Sequence, residues 1–305
     1  MKKSVLVIAL AFGVTGAFAQ DLTSKKGEPI LPEAEDWAIS MDASPIFNYV
    51  GNAFNGSTSN NAPGTSWLNS DQTIIGKKFI DEKSAYRVLV RVGFTNETTK
   101  AMIADATVTT APVYPEVPAM VEDKMKVRNT NIGVGLGKEF RRGKTRLQGY
   151  YGADAMIWIS SGKTLYEYGN ALATSAPIVT VANSTNFGSN ITTDSYGNAA
   201  RITERKTGMT FGLGVRGFIG AEYFIFPKIS IGAEYGWGIG FQTTGKGKQT
   251  VESISGTTIG SIETETAGSS KFGFDTDMNN NTIFGFNGSG SGATGSGSMR
   301  VTFHF

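Results

Sequence analysis

One histidine and no cysteine stand among 305 residues, and that limits the chemistry at once. Covalent acyl chemistry needs a nucleophile beside a base. The only imidazole, His304, is the penultimate residue and would have to serve alone. The absence of cysteine excludes a disulfide framework, a Cys-ligated zinc, a thiol nucleophile and a lipid-anchored cysteine. Gly133-Val134-Gly135-Leu136-Gly137-Lys138 has the glycine density of a dinucleotide loop without its spacing. Gly143-Lys144-Thr145 and Gly162-Lys163-Thr164 resemble the end of a phosphate loop, but its earlier glycine falls on Lys138 and Ile157. Asp275-Thr276-Asp277-Met278-Asn279-Asn280-Asn281 sets oxygen ligands at alternate positions, as a hard cation prefers. Asn280 stands where a calcium loop needs glycine, and Phe286 where it needs glutamate. No catalytic set, cofactor or metal is therefore expected, and the chain reads as non-enzymatic.

A second group is more telling. Asp42, Arg87, Arg91, Glu139, Asp154, Arg216, Glu222 and Glu234 recur opposite large apolar residues in runs of period two. Tyr86, Val88, Val90, Val92 and Phe94 alternate with Arg87, Leu89, Arg91, Gly93 and Thr95. Leu213, Val215, Ile219 and Tyr223 lie opposite Gly214, Arg216, Gly220 and Glu222. Ile231, Tyr235, Trp237 and Ile239 lie opposite Gly232, Glu234, Gly236 and Gly238. Met299, Val301, Phe303 and Phe305 alternate with Arg300, Thr302 and His304.

The elements that carry these runs are eight strands: 37–50, 72–80, 85–95, 125–140, 145–160, 201–223, 228–242 and 296–305. Short connections at 81–84, 141–144 and 224–227 alternate with long ones at 51–71, 96–124, 161–200 and 243–295. Strands with one apolar face, short turns at one end and long loops at the other are the layout of a transmembrane β-barrel of the bacterial outer membrane. The expected fold is thus all-β: an antiparallel up-and-down barrel of eight strands with four long extracellular loops and three short periplasmic turns. The apolar face would meet lipid. The charges would line a narrow lumen, where each must be paired or hydrated. An ion-pair network that plugs the lumen is the first reading, and a narrow gated pore the alternative.

The rest of the chain fits export. Met1–Ala19 has a basic start (Lys2, Lys3), an apolar Val5–Val14 and an Ala17-Phe18-Ala19 cleavage site. Without Lys2 and Lys3 the 28 basic residues become 26, equal to the 26 acidic ones. That balance argues against a nucleic-acid partner. Residues 20–36 read as a periplasmic strap and 37–305 as the barrel. The 39 glycines exceed an average share of roughly 7%. Small residues facing inward suit a narrow barrel, and 287–297 is a flexible low-complexity run. The apolar stretch Ala101–Met120 is read as packing over the barrel mouth, or else as a contact surface.

Four stretches also resemble the small outer-membrane β-barrel proteins of the Bacteroidota. They are Asp36–Pro45, Glu222–Ser230 around the Tyr223–Lys228 turn, Phe272–Asp277, and the alternating terminus ending in Phe305. The resemblance implies a place in the cell outer membrane and contact with its lipid. It also implies that Val301, Phe303 and Phe305 form the signal read by the barrel-assembly machinery during biogenesis. It hands over no catalytic residue. The functional expectation is a structural or interaction subunit presenting its loops to a protein partner or larger outer-membrane assembly. A narrow pore or small-ligand-binding barrel is the alternative.

Overall fold

Alternating β-branched, aromatic and small residues form thirteen strands among the described residues of a computed structural model, which covers 22–54, 56, 73–110, 112–275 and 297–305. In chain order these are β1 (Trp37–Asp42), β2 (Ile74–Asp81), β3 (Ser84–Ala104), β4 (Met120–Arg142), β5 (Leu147–Glu167), β6 (Ile191–Thr193) and β7 (Ala199–Lys206). They continue as β8 (Thr210–Phe226), β9 (Ile229–Thr244), β10 (Gly247–Ser255), β11 (Thr258–Thr266), β12 (Ser269–Asp275) and β13 (Gly297–His304). One α-helix, α1 (Ser44–Phe54), follows β1. No helix among the described residues is long and apolar enough to cross a membrane, a test that does not bear on β-barrels.

Eight strands close a hydrogen-bonded ring in the order β1–β2–β3–β4–β5–β8–β9–β13, every pair antiparallel. Its seam joins β1 to β13, where Trp37 and Phe305 donate backbone N–H groups to each other's carbonyls, both at 2.8 Å. Three tight connections (82–83, 143–146 and 227–228) lie at the same end of the ring as Trp37 and Phe305. The segment before β1 is fastened there too. Glu35 N–H donates to Phe79 O at 2.9 Å, Lys228 Nζ pairs with Asp36 at 3.0 Å, and Ile30 is buried.

Three expectations need correction. The run 37–50 is not one strand: β1 stops at Asp42 and α1 begins at Ser44. Pro45 has no N–H to give a ladder but suits a first helical turn. Phe47 and Tyr49 continue the odd-numbered alternation from Trp37, whereas Ile46, Tyr49, Val50 and Phe54 follow a helical period. The run 201–223 is two collinear strands. β5 pairs with β8 up to Ser160↔Thr210 and with β7 from Lys163↔Lys206. Between them Thr207 turns its side chain to the Gly162 backbone, with Gly162 N–H donating to Thr207 Oγ1 at 2.7 Å. Gly208 lets the Gly245 backbone approach so closely that a Cβ would collide with it.

The third correction concerns the long loops. The distal halves of β3, β4 and β5 run well past the ring, and β7, β10 and β11 join them in an outer sheet, with β6 on β7. Its core is Tyr166, Ala200, Ile202 and Val251, with Met125, Tyr168, Phe187 and Ile262 packed against it. Residues 168–198 fold against this sheet through side chains that satisfy backbone groups. Buried Asp123 accepts N–H bonds from Gly169 and Thr185, both at 2.7 Å. Asn170 Nδ2 donates to the carbonyls of Ala104 and Asn183, both at 2.9 Å. The 101–120 stretch does not pack over the ring. It is the end of the β3–β4 hairpin, with Val113, Tyr114 and Val117 exposed at 74%, 95% and 85%.

Candidate functional site: the buried charge cluster of the ring

All eight charged residues singled out in the sequence lie on the buried face of the ring, each no more than 5% exposed. Most of them meet. Arg87 on β3 grips Glu234 on β9 with two bonds, Nη1–Oε2 at 2.9 Å and Nη2–Oε1 at 3.3 Å. The same guanidinium reaches Glu139 at 3.3 Å and Asp154 at 3.4 Å. Arg216 on β8 closes the circuit, with Nη1 3.1 Å from Asp154 and Nη2 2.6 Å from Glu234. Phe218 lies beneath the arginines, its ring centroid 3.8 Å from the Arg87 guanidinium carbon. Glu222 pairs with Arg141 nearer the tight turns. Asp42 and Arg91 are buried on the same face.

Strand phase positions every member. On β3, β4, β5, β8 and β9 the inward residue is every second one, so a charge opposite a row of apolar residues must point inward. Desolvating such groups is costly, and bidentate pairing in low dielectric offsets the cost. Sequence reasoning missed three cations of the cluster. Lys77 on β2 pairs with Glu139 at 2.8 Å, and Arg141 reaches the other Glu139 oxygen at 3.2 Å. Arg300 on β13 donates to Ser40 Oγ, Ser40 O and Thr73 O at 2.9, 2.9 and 3.0 Å. The signals were present. Arg141 is two residues past Glu139, just beyond the expected strand end. Arg300 alternates with Met299 and Val301. Lys77 sits in the run with the weakest period.

An apolar layer adjoins the charges: Ile75, Leu89, Met156 and Trp158, all at most 3% exposed. The Trp158 indole lies so close to Gly212 that any Cβ there would collide with it. Near the tight turns, His304 sits between Phe224 and Phe79, at ring-centroid distances of 5.0 and 5.6 Å. Its Nε2 is 3.3 Å from Ser230 Oγ, which is 3.3 Å from Glu222 Oε2. A Ser–His contact therefore exists. It is buried, however, and among the described residues His304 Nδ1 has no hydrogen-bond partner to orient the ring as a base.

The opposite face is apolar and exposed around the whole ring. It carries Trp37, Ile39, Ile74, Tyr86, Val88, Val90, Leu136, Phe140, Leu147, Tyr151, Ile157, Leu213, Val215, Tyr235, Trp237 and Phe303. On β3 it runs from Tyr86 to Phe94, about 26 Å along the strand at roughly 3.3 Å per residue. Phe303 and Phe305 are exposed at 41% and 62% and Val301 is half-buried, all on or next to β13. Asp275 ends β12, while the remainder of its oxygen-rich run, from Thr276, lies outside the described residues, as does 287–296.

Beyond the ring the electrostatics are those of a hydrated surface. Asp194 accepts from the Asn198 side chain at 3.0 Å and Ser253 Oγ at 2.7 Å, and from the Tyr196 and Asn198 amides, both at 2.9 Å. Those bonds, the Asn198 side chain foremost, hold its carboxyl down at about 2. Burial pushes the Tyr168 phenol up to about 12, and its O–H donates to Ile202 O at 2.7 Å. A shallow groove of about 370 Å³ lies here, lined by Ala173, Ile178, Val181 and Ile254 among others, with no charged side chain in its wall among the described residues.

No family model matches the chain, and no curated protein matches it. Among solved structures it is similar to a major outer membrane protein from Thermus thermophilus. The identity is 8% and the TM-score 0.27, over 89% of this chain and 100% of that one. A likeness that distant carries no argument, and the ring stands on its own geometry.

Proposed function

We propose that this chain is a non-enzymatic outer-membrane β-barrel that serves as a structural or interaction subunit. The ring would sit in the bilayer, with the tight turns facing the periplasm and the outer sheet and β3–β4 hairpin facing outward. Small barrels of the Bacteroidota outer membrane are the kind of protein meant. One observation carries the reading: apolar residues face out and charges face in on the same eight-stranded ring. In water that arrangement is inverted. In a bilayer it satisfies both faces, because a closed ring leaves no strand edge and lipid needs no hydrogen bonds. Packing of Arg87, Arg216, Phe218 and Trp158 across the buried face supports a plugged lumen over a pore. The exposed apolar hairpin end, Val113, Tyr114 and Val117, is the surface best suited to a protein partner.

Planar-bilayer recording of the folded protein tests this directly. The expected trace is free of channel steps. Steady unitary conductance would overturn the plugged-lumen reading. Cross-linking in native membranes, with and without residues 105–119, tests the partner. A companion of fixed stoichiometry that disappears with the hairpin end is expected, and recovery of the barrel alone would remove the interaction role.

A further inference from the structure

The wall of the ring is uneven. β3, β4, β5, β8 and β9 have 16 to 23 residues, whereas β1, β2 and β13 have 6, 8 and 8. Among the described residues the pairing runs up to Ile74↔Val90 on one flank and Gly297↔Tyr235 on the other, while β1 itself stops at Asp42, where the chain turns into α1. Above those pairs both flanks remain apolar and exposed. Val92 and Phe94 continue on β3, Trp237 and Ile239 on β9, and Phe272 and Phe274 on β12, which takes over from β13 along β9. Six residues span only about 20 Å at roughly 3.3 Å per residue, before tilt, against an outward apolar band about 25 Å tall.

Helix α1 rises from this notch. The residue that leads into it is tied to β13, where Ala43 N–H donates to Met299 O at 2.8 Å, and the helix packs against β13. Ile46, Tyr49, Val50 and Phe54 follow the i, i+3, i+4, i+8 pattern of one helical face, and all four are exposed, Phe54 at 87%. Ser44–Phe54 contains no charged residue. An exposed apolar stripe on a charge-free helix, flanked by exposed apolar strands, has one occupant that suits every neighbour. We infer that the Ile46–Tyr49–Val50–Phe54 face of α1 is a lipid-contacting surface that completes the apolar belt above β13–β1–β2, its occupant the acyl chains of the bilayer. The inference rests on the bilayer reading of the ring.

The absence of native cysteine makes the test direct, since one introduced thiol takes one label. The full chain, folded into phosphatidylcholine vesicles, carries an environment-sensitive fluorophore at Val50→Cys or, as a second helix position, Phe54→Cys. Val215→Cys on the ring and Tyr114→Cys on the hairpin end are the references. Heat-modifiable migration confirms that each variant is folded. Lipid-borne quenchers are expected to dim the Val50 and Phe54 labels to the same extent as Val215, and aqueous iodide to dim only Tyr114. If Val215 is quenched from the lipid but both helix labels follow Tyr114 into iodide, the helix inference is overturned and the ring reading stands. If Val215 itself resists the lipid quencher, the bilayer reading falls and takes the helix inference with it.

Discussion

Strand β5 passes through two environments, and its two faces exchange roles between them. In the ring, Leu147, Tyr151, Ile157 and Ile159 point outward and are exposed, while Asp154, Met156 and Trp158 are buried. Past Ser160 and Ser161 the outward face carries Lys163 and Glu167, which pair with Glu204 and Lys126, and the inward face contributes Tyr166 to an apolar core. β4 does the same, from Val134 and Leu136 outward to Lys124 and Lys126 outward. The outer sheet is thus built as soluble proteins are, with its ion pairs Lys246–Glu265 and Lys248–Glu263 in water. The ring is built the other way round. Because the same chains run through both, the difference cannot come from composition alone. On the proposed bilayer reading it marks where the surroundings change, along a line through Asn129, Ser160, Thr207 and Thr243.

That comparison can be broken at several strengths. Removing a buried charge partner should cost most. Glu234→Ala leaves Arg87 and Arg216 facing Asp154, and a loss of about 3–5 kcal/mol is expected in urea unfolding from lipid vesicles. The matching change Glu263→Ala in the outer sheet, which frees only exposed Lys248, should leave the midpoint unmoved. Equal effects would mean the two regions are alike. Val215→Arg, on the outward face of the ring, should cost about 2–4 kcal/mol near mid-bilayer. Ser261→Arg, exposed on β11, should be silent in the same assay. If Arg is tolerated at 215, lipid does not touch that face.

The smallest effect is local. Asp194 has a folded pKa of about 2, below the ordinary carboxylate value, so its ionised form favours the folded turn. That contribution is complete above about pH 4 and is lost as pH falls towards 2. The protection factors of the Tyr196 and Asn198 amides, taken against their intrinsic exchange at each pH, should therefore fall over that range while those of the ring amides hold. Protection factors that do not change there would remove Asp194 as the holder of the turn.

Legibility in the sequence follows the same division. Asp42, Arg87 and Glu234 could be assigned to a face because lipid-facing strands favour an apolar residue at every second position, and β3 and β9 keep that pattern around Arg87 and Glu234 with few interruptions. In the outer sheet only one face of a partly hydrated structure is constrained. β10 and β11 bury Val251 and pack Ile262 against the same core, but most of their other positions are Thr, Ser, Glu, Lys or Gly, so they pass for loop. The usable signal was Gly256-Thr257 between two alternating runs, with Gly256 at φ +59 in a two-residue hairpin turn. α1 was hidden for a different reason: Phe47 and Tyr49 keep the alternation of β1 in phase, while the helix signals were Pro45 and the off-phase Ile46, Val50 and Phe54.

The seam between Trp37 and Phe305 has a temporal meaning. Every other neighbour in the ring lies a shorter distance away along the chain, but β1 waits for β13. Until residue 305 has been made and delivered, any partly assembled wall carries two open edges, each a row of unpaired N–H and C=O groups ready to capture a wrong strand. Closure is therefore a single late event. Loss of the last few residues would remove the edge to which β1 must dock, leaving the rest of the sequence intact but the wall open.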